Sequence, residues 1–386
     1  MAVRAASAAP GSEETLTKEI ERLLGHPLDE RSWTRLGGAL TELHDRFVSE
    51  TPPEQTHTAY FTARESLAAY LAYFFLASAG QVKRALAEVA LPSSPTLKVL
   101  DIGSGPGPAS IAIAELAASN GQRADVTALE AAPLALQSLS KLWRPSYGSL
   151  ETKEWRAGQS LPSGPFDVIV ASHVLNELYL DVPDRLDRRT ALALELARKL
   201  KPGGLLLLME PALKRTAREL LVIRDRLLPQ GLFALAPCLY QSACPAIQRP
   251  RDWCHADRPW PEPALVAKAG QVAGLKRDSL KYAYVILSNA HPDRESTKDS
   301  SLFRIVSEPL PEKGKKKFFG CGPSGRHALV RLDKDANDAN APFDRLQRGD
   351  IVRLQNLTQS GDGKRIGTES SVTVEVSATD RDLKPS

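Results

Sequence analysis

Val99-Leu-Asp101-Ile-Gly103-Ser-Gly105-Pro-Gly107 is the stretch on which the fold turns. It closes the short apolar run Thr96–Asp101 and leads into a helix-type pattern from Ala109 to Ala118. Glycines at alternate positions let backbone approach a ligand closely, and the free N–H groups of the following helix point at the same place. The texture repeats downstream. Ala124–Glu130, Phe166–Ser172 and Leu205–Glu210 read as strands, with helix-type segments at Leu175–Tyr179 and Arg189–Leu200 between them. Strands alternating with helices predict an α/β chain whose parallel sheet is covered on both faces. Lys281–Ser288 and Ser301–Ser307 read as later strands of the same sheet.

A Gly-x-Gly-x-Gly turn alone is weak, because dinucleotide-binding folds share it. Three neighbours sharpen it: Asp101 two residues before the first glycine, Glu130 at the end of the next strand, and Lys201-Pro-Gly-Gly204 introducing a later strand. The set resembles a class I S-adenosylmethionine-dependent methyltransferase, a Rossmann-like fold. That resemblance implies that Gly103, Gly105 and Gly107 wrap the amino-acid end of the cofactor. It also implies that Asp101 orients the turn or the cofactor amine, and that Glu130 holds the ribose.

Methyl transfer needs positioning and usually proton removal. The fourth strand ends in Ala171-Ser172-His173-Val-Leu-Asn176-Glu177. It lacks the Asn/Asp-Pro-Pro-aromatic signature of amino methyltransferases, and no cysteine is read as the Pro-Cys nucleophile of cytosine-C5 enzymes, since every cysteine is better used elsewhere. The catalytic group is unknown. His173 is the candidate base, against a plainer reading as a structural contact, and Asn176 and Glu177 read as polar residues at a helix start.

On either side of this core the texture changes. Residues 1–95 are helical in pattern, with apolar spacing over Thr15–Leu24, Trp33–Phe47 and Tyr60–Val89, and read as a cap. Residues 96–310 read as the core, interrupted at 211–260 by a helix pattern, Leu213–Leu228, and a Pro- and Cys-rich insertion. Residues 311–375 are β-rich, and 376–386 read as a flexible tail. The N-terminal stretch Met1–Pro10 has no apolar secretory core; its Arg, Ala and Ser content leaves a short transit segment as an alternative. A net charge of +4 does not announce nucleic-acid binding, and no apolar run reaches membrane-spanning length. Lys313-Gly-Lys315-Lys316-Lys317 reads as a solvated basic loop, with RNA contact as the alternative.

All four cysteines lie in the second half: Cys238, Cys244, Cys254 and Cys321, with five, nine and sixty-six residues between them. Pro237 and Pro245 flank the first two, and irregular Pro/Gly backbone suits a site built on loops. Zinc sites usually draw on closer pairs. Spacing leaves zinc, an iron–sulfur cluster and plain core thiols open.

The order Pro-Cys238-x5-Cys244-Pro, Trp253-Cys254-His255, then Cys321-x-Pro-Ser-Gly, behind a methyltransferase core, resembles one family. These are the methyltransferase-like proteins associated with the small ribosomal subunit, known as mitochondrial ribosome assembly factors, with bacterial relatives. The resemblance spans roughly residues 60–355. It includes Leu71-Ala-Tyr-Phe-Phe75, Ser172-His-Val-Leu-Asn-Glu-Leu178, Glu210-Pro and Gly349-Asp-Ile-Val. It implies a [4Fe–4S] cluster on Cys238, Cys244, Cys254 and Cys321, with His255 as an alternative ligand and zinc as an alternative metal. It further implies an assembly or translation factor bound to small-subunit rRNA and proteins, off the membrane and monomeric off the ribosome; an active rRNA methyltransferase is the alternative. Arg, Ala and Pro content points to a bacterial cytoplasm, with the mitochondrial matrix as the alternative.

Overall fold

The computed structural model describes residues 10–49, 57–292, 299–361 and 363–378. The transit-like stretch and most of the expected tail lie outside the described residues. The cap is helical, as its spacing predicts: α1 (Pro10–Leu24), α2 (Glu30–Val48), α3 (Arg64–Tyr73) and α4 (Phe75–Leu86). Asp29 starts α2 by accepting the Ser32 N–H at 2.8 Å, and Leu36, Leu40 and Leu43 bury one face of it. The single helix expected from Tyr60 onward is instead two, divided at Phe74, and a 3₁₀ segment, His57–Thr62, precedes them.

The core runs β1 (Thr96–Ile102), α5 (Pro108–Ser119), β2 (Arg123–Glu130), α6 (Pro133–Leu142), β3 (Leu150–Glu154), β4 (Phe166–Ser172), α7 (Arg185–Ala197) and β5 (Leu200–Pro211). It continues through α8 (Lys214–Leu227), β6 (Phe233–Ala236), α9 (Pro245–Gln248), β7 (Ala256–Pro259), α10 (Ala264–Ala273) and β8 (Ser279–Ser288). The sheet order is β3-β2-β1-β4-β5-β8-β6, with β7 also paired to β8. The first five strands are parallel and β8 is antiparallel to β5. This is a class I methyltransferase sheet. Its order reverses between β1 and β4, which opens a crevice at their carboxyl ends. One face packs on the cap, α5 and α6, and the other on α7 and α8. Leu175–Tyr179, expected to be helical, is only a 3₁₀ turn over Leu175–Glu177.

A second sheet follows: β9 (Leu302–Ile305), β10 (Leu310–Glu312), β11 (Lys315–Gly322), β12 (Gly325–Leu332), β13 (Ile351–Gln355), β14 (Thr358–Ser360), β15 (Gly363–Ile366) and β16 (Ser371–Val376). Its order is β14-β15-β12-β11-β9-β13-β16, with β10 paired to β11. It has its own core of Phe303, Phe318, Leu329, Phe343 and Val352. Ser301–Ser307 therefore does not extend the first sheet. Both sides of β8 are taken, by β5 on one and by β6 and β7 on the other, so β9 pairs with β11 and β13. The basic run is also corrected. Lys315, Lys316 and Lys317 lie in β11, with Lys315 paired to Glu312 at 2.7 Å and Lys316 to Asp344 at 3.1 Å. Among the described residues no helix is long and apolar enough to cross a membrane.

Candidate functional site

The crevice is built from the Gly-rich turn outward. Gly103, Gly105 and Gly107 hold φ of +65°, +53° and +88°, which only glycine adopts without strain. At Gly107 a side chain would also strike Leu139 Cδ1 at 2.1 Å. Ser110, in the first turn of α5, donates to Asp101 Oδ2 at 2.6 Å. Asp101 thus ties the end of β1 to the helix that follows it. Burial pushes its carboxyl up to about 7. Glu130 accepts the N–H groups of Gly105 (3.0 Å), Ala131 (2.8 Å) and Ala132 (2.9 Å), so it sets the turn as well as ending β2.

The structure brings these residues together with others that local sequence did not single out. Phe61, from the cap, lies 3.1 Å from where a Gly105 side chain would begin. Tyr60 Oη donates to Glu177 Oε1 at 3.3 Å. Burial, then the charges of Glu130 and Glu210, hold the Glu177 carboxyl well above the carboxylate range, and burial pushes Glu210 up to about 8. The charge of Glu130 raises Asp101 as well as Glu177, so these carboxyls interact with one another around the ends of the parallel strands. His173 sits at φ +57°, and its Nε2 donates to Gln81 Oε1 on α4 at 2.8 Å. Burial, then Arg277, lowers the ring to about 4, so it is neutral and held.

The cysteines lie around one cavity on the far side of the core. The insertion leaves β6 and re-enters at β7, and both strands lie along the same side of β8. Its irregular backbone is held by two arginines of α8. Arg218 donates to the carbonyls of Ala246 (3.0 Å), Ile247 (3.0 Å), Arg249 (2.9 Å) and Asp252 (2.6 Å), and Arg224 to those of Tyr240 (2.9 Å) and Ser242 (2.7 Å). Asp225 accepts the Cys244 N–H at 2.8 Å. From the second sheet, Cys321 pairs in register with Arg304 of β9, and its sulfur lies 3.3 Å from Tyr240 Oη.

All four cysteines line one cavity of about 60 Å³. Arg258, Arg304, Arg326 and Arg348 also line it, and no carboxylate does. The cysteines are unbridged. Burial, then the neighbouring sulfurs, raises Cys244 strongly; burial raises Cys254 and pushes Cys321 up to about 12. The His255 ring, lowered to about 4 by burial, has a buried Nδ1 without a hydrogen-bond partner. The donor set is soft and ringed by guanidinium groups, which fits an anionic thiolate-bound centre. Among the described residues, however, no three His, Cys, Asp or Glu side chains come close enough to hold a single metal ion.

Compared with known proteins, residues 64–338 match the family described as mitochondrial small ribosomal subunit Rsm22. No curated protein matches the chain. Among solved structures the chain is similar to a putative class I S-adenosylmethionine-dependent methyltransferase from Listeria monocytogenes, 12% identical with a TM-score of 0.43, over 75% of this chain and 92% of that one. It is also similar to the mitomycin 7-O-methyltransferase MmcR, 19% identical with a TM-score of 0.34, over 71% and 72% of the two chains. A methyltransferase from Pyrococcus furiosus is 16% identical with a TM-score of 0.32, over 51% and 76%.

Proposed function

From the premise that this chain belongs to the Rsm22 family of the mitochondrial small ribosomal subunit, we propose that it is an assembly or translation factor that binds small-subunit rRNA. It carries S-adenosylmethionine in the crevice and a [4Fe–4S] cluster on Cys238, Cys244, Cys254 and Cys321. The family match carries this reading, because it spans the Gly-rich turn and all four cysteines together. Gly103, Gly105 and Gly107 hold the cofactor's amino-acid end, Asp101 keeps the turn in place, and Glu130 takes the ribose. When bound, the cofactor supplies an electrophilic methyl group. Glu130 now spends its oxygens on backbone N–H groups, so ribose binding shares them.

The thiols surround a cavity rather than a point, which supports a cluster over zinc. Zinc needs its sulfurs about 2.3 Å from one centre, whereas a four-iron core spreads its cysteine ligands around itself. Two of the three domains expected from the sequence meet there, since the insertion of the core supplies three ligands and the β-rich segment the fourth. His173, whose Nε2 is engaged by Gln81, supports binding without turnover. The family's description favours the mitochondrial matrix over a bacterial cytoplasm.

Anaerobic purification followed by iron and acid-labile sulfide analysis tests the cluster. The expected result is about four of each per chain, lost in Cys321→Ser; zinc without sulfide overturns the cluster. Co-sedimentation with small-subunit particles, with and without S-adenosylmethionine, tests the factor. Methyl incorporation into rRNA at a stoichiometric level would make it an enzyme instead.

A further inference from the structure

Trp253 is 39% exposed, and it is the only aromatic among the large apolar side chains that the described residues leave open to solvent. Its exposure is fixed by the fold. It sits between α9 and β7, on the loop whose Arg249 and Asp252 carbonyls Arg218 gathers. Its indole lies within 17° of parallel to the His255 ring, with centroids 5.9 Å apart. Arg249 and Arg251 precede it in the same loop by four and two residues, both exposed, and among the described residues neither pairs with a carboxylate.

This face continues onto the second sheet. The Arg326 guanidinium pairs with Asp252 and lies 4.7 Å from the centre of the Phe319 ring, and the Lys317 ammonium lies 5.3 Å from the same ring. A flat aromatic surface set among cations matches an unpaired nucleotide, whose base stacks while its phosphates meet the arginines. A duplex hides its base faces and offers phosphates alone.

We propose that Trp253 is a stacking platform for an unpaired RNA base, with Arg249 and Arg251 on the adjoining phosphates. This rests on the rRNA-binding reading and adds to it the surface and the form of RNA that is taken. Because Cys254 follows Trp253 directly, the loop that presents the platform is the loop that enters the thiol cavity.

The test uses the anaerobically prepared full chain, a short unstructured RNA oligonucleotide and an RNA duplex of equal length. Trp253→Ala is expected to weaken single-strand binding roughly 5- to 150-fold with an unchanged salt slope, and to leave duplex binding as it was. Trp253→Phe retains most of the affinity. Replacing both Arg249 and Arg251 by Gln lowers the salt slope by about 1.4. Single-stranded RNA quenches tryptophan emission in the wild type and not in Trp253→Phe, a readout that does not depend on the alanine variant folding. Equal single-strand affinity of Trp253→Ala and wild type, quenching that persists in Trp253→Phe, or an equal loss on duplex each overturns the platform, while co-sedimentation with the small subunit then leaves the rRNA reading standing. A wild-type chain that binds neither RNA nor small subunits overturns both.

Discussion

Gly349 shows how much a single residue without a side chain can decide. Its φ is +97°, and a Cβ there would lie 2.0 Å from Arg258 Nη1. That nitrogen donates to the Arg348 carbonyl at 2.7 Å, and the guanidinium lines the thiol cavity. Gly349→Ala therefore adds a collision to a strained backbone. Gly361, at φ +56° with nothing within 4 Å of a built side chain, supplies the comparison. Strain alone costs about 1–3 kcal/mol, so Gly361→Ala is expected to fall in that range by urea unfolding, and Gly349→Ala to exceed it. The Gly349-Asp-Ile-Val motif is visible in the sequence. Its reason is not, because the arginine that needs the space comes from a distant strand. The same holds for Arg218: nothing in its neighbourhood says that it gathers four carbonyls of the cysteine loop.

At the level of the elements, the strand–turn–helix unit of β1 and α5 is legible because each part is local. Apolar run, glycines and capping proline all fall within one short window. Asp101 joins the parts, and its titration gives a test. Its carboxyl moves from an ordinary 3.8 to about 7, mainly through burial. Between those values the folded chain keeps a proton that the unfolded chain has released. This contribution is complete below about pH 4 and is lost as the pH rises to about 7. His173 acts in the opposite direction: lowered from 6.5 to about 4, it withdraws stability as the pH falls across that window. Asp101→Asn is expected to flatten the decline between pH 4 and 7. In urea midpoints it gains on the wild type at pH 8 and not at pH 4; parallel midpoint curves would remove Asp101 as the source. Sheet membership, by contrast, is not local. β9 is a short, fully buried run that either sheet could take, and the occupied sides of β8 send it to the second sheet. The lysines of β11 read as a loop because the strand's neighbours and Asp344, the partner of Lys316, reach them only through the fold; Glu312, three residues before Lys315, is a local partner.

Across the whole molecule, one buried carboxylate holds three regions together. Glu88, just beyond α4 in the cap, pairs with Arg304 of the second sheet at 2.7 Å and with Arg258 of the insertion at 3.3 Å, and all three side chains are at most 8% exposed. Removing one partner of such a group leaves buried charge uncompensated, at a cost of about 3–5 kcal/mol. Glu88→Ala is expected to lose that much in urea unfolding and, on the proposed cluster reading, to give up iron faster to a chelator, since both arginines line the thiol cavity. Unchanged chelation would mean that the cap does not support the site. The alternating core, its Gly-rich turn and acidic strand ends, the helical cap and the four thiols are all legible along the chain. These are short-range patterns of hydrophobicity and backbone freedom, which a single stretch of chain carries whole. That the thiols share one cavity ringed by arginines, that His173 is held by Gln81, and that Trp253 stays in water emerge with the folded arrangement. Each of those depends on which distant surfaces come into contact, and such contacts are chosen by packing and by the pairing of buried charge, which no local run of residues records.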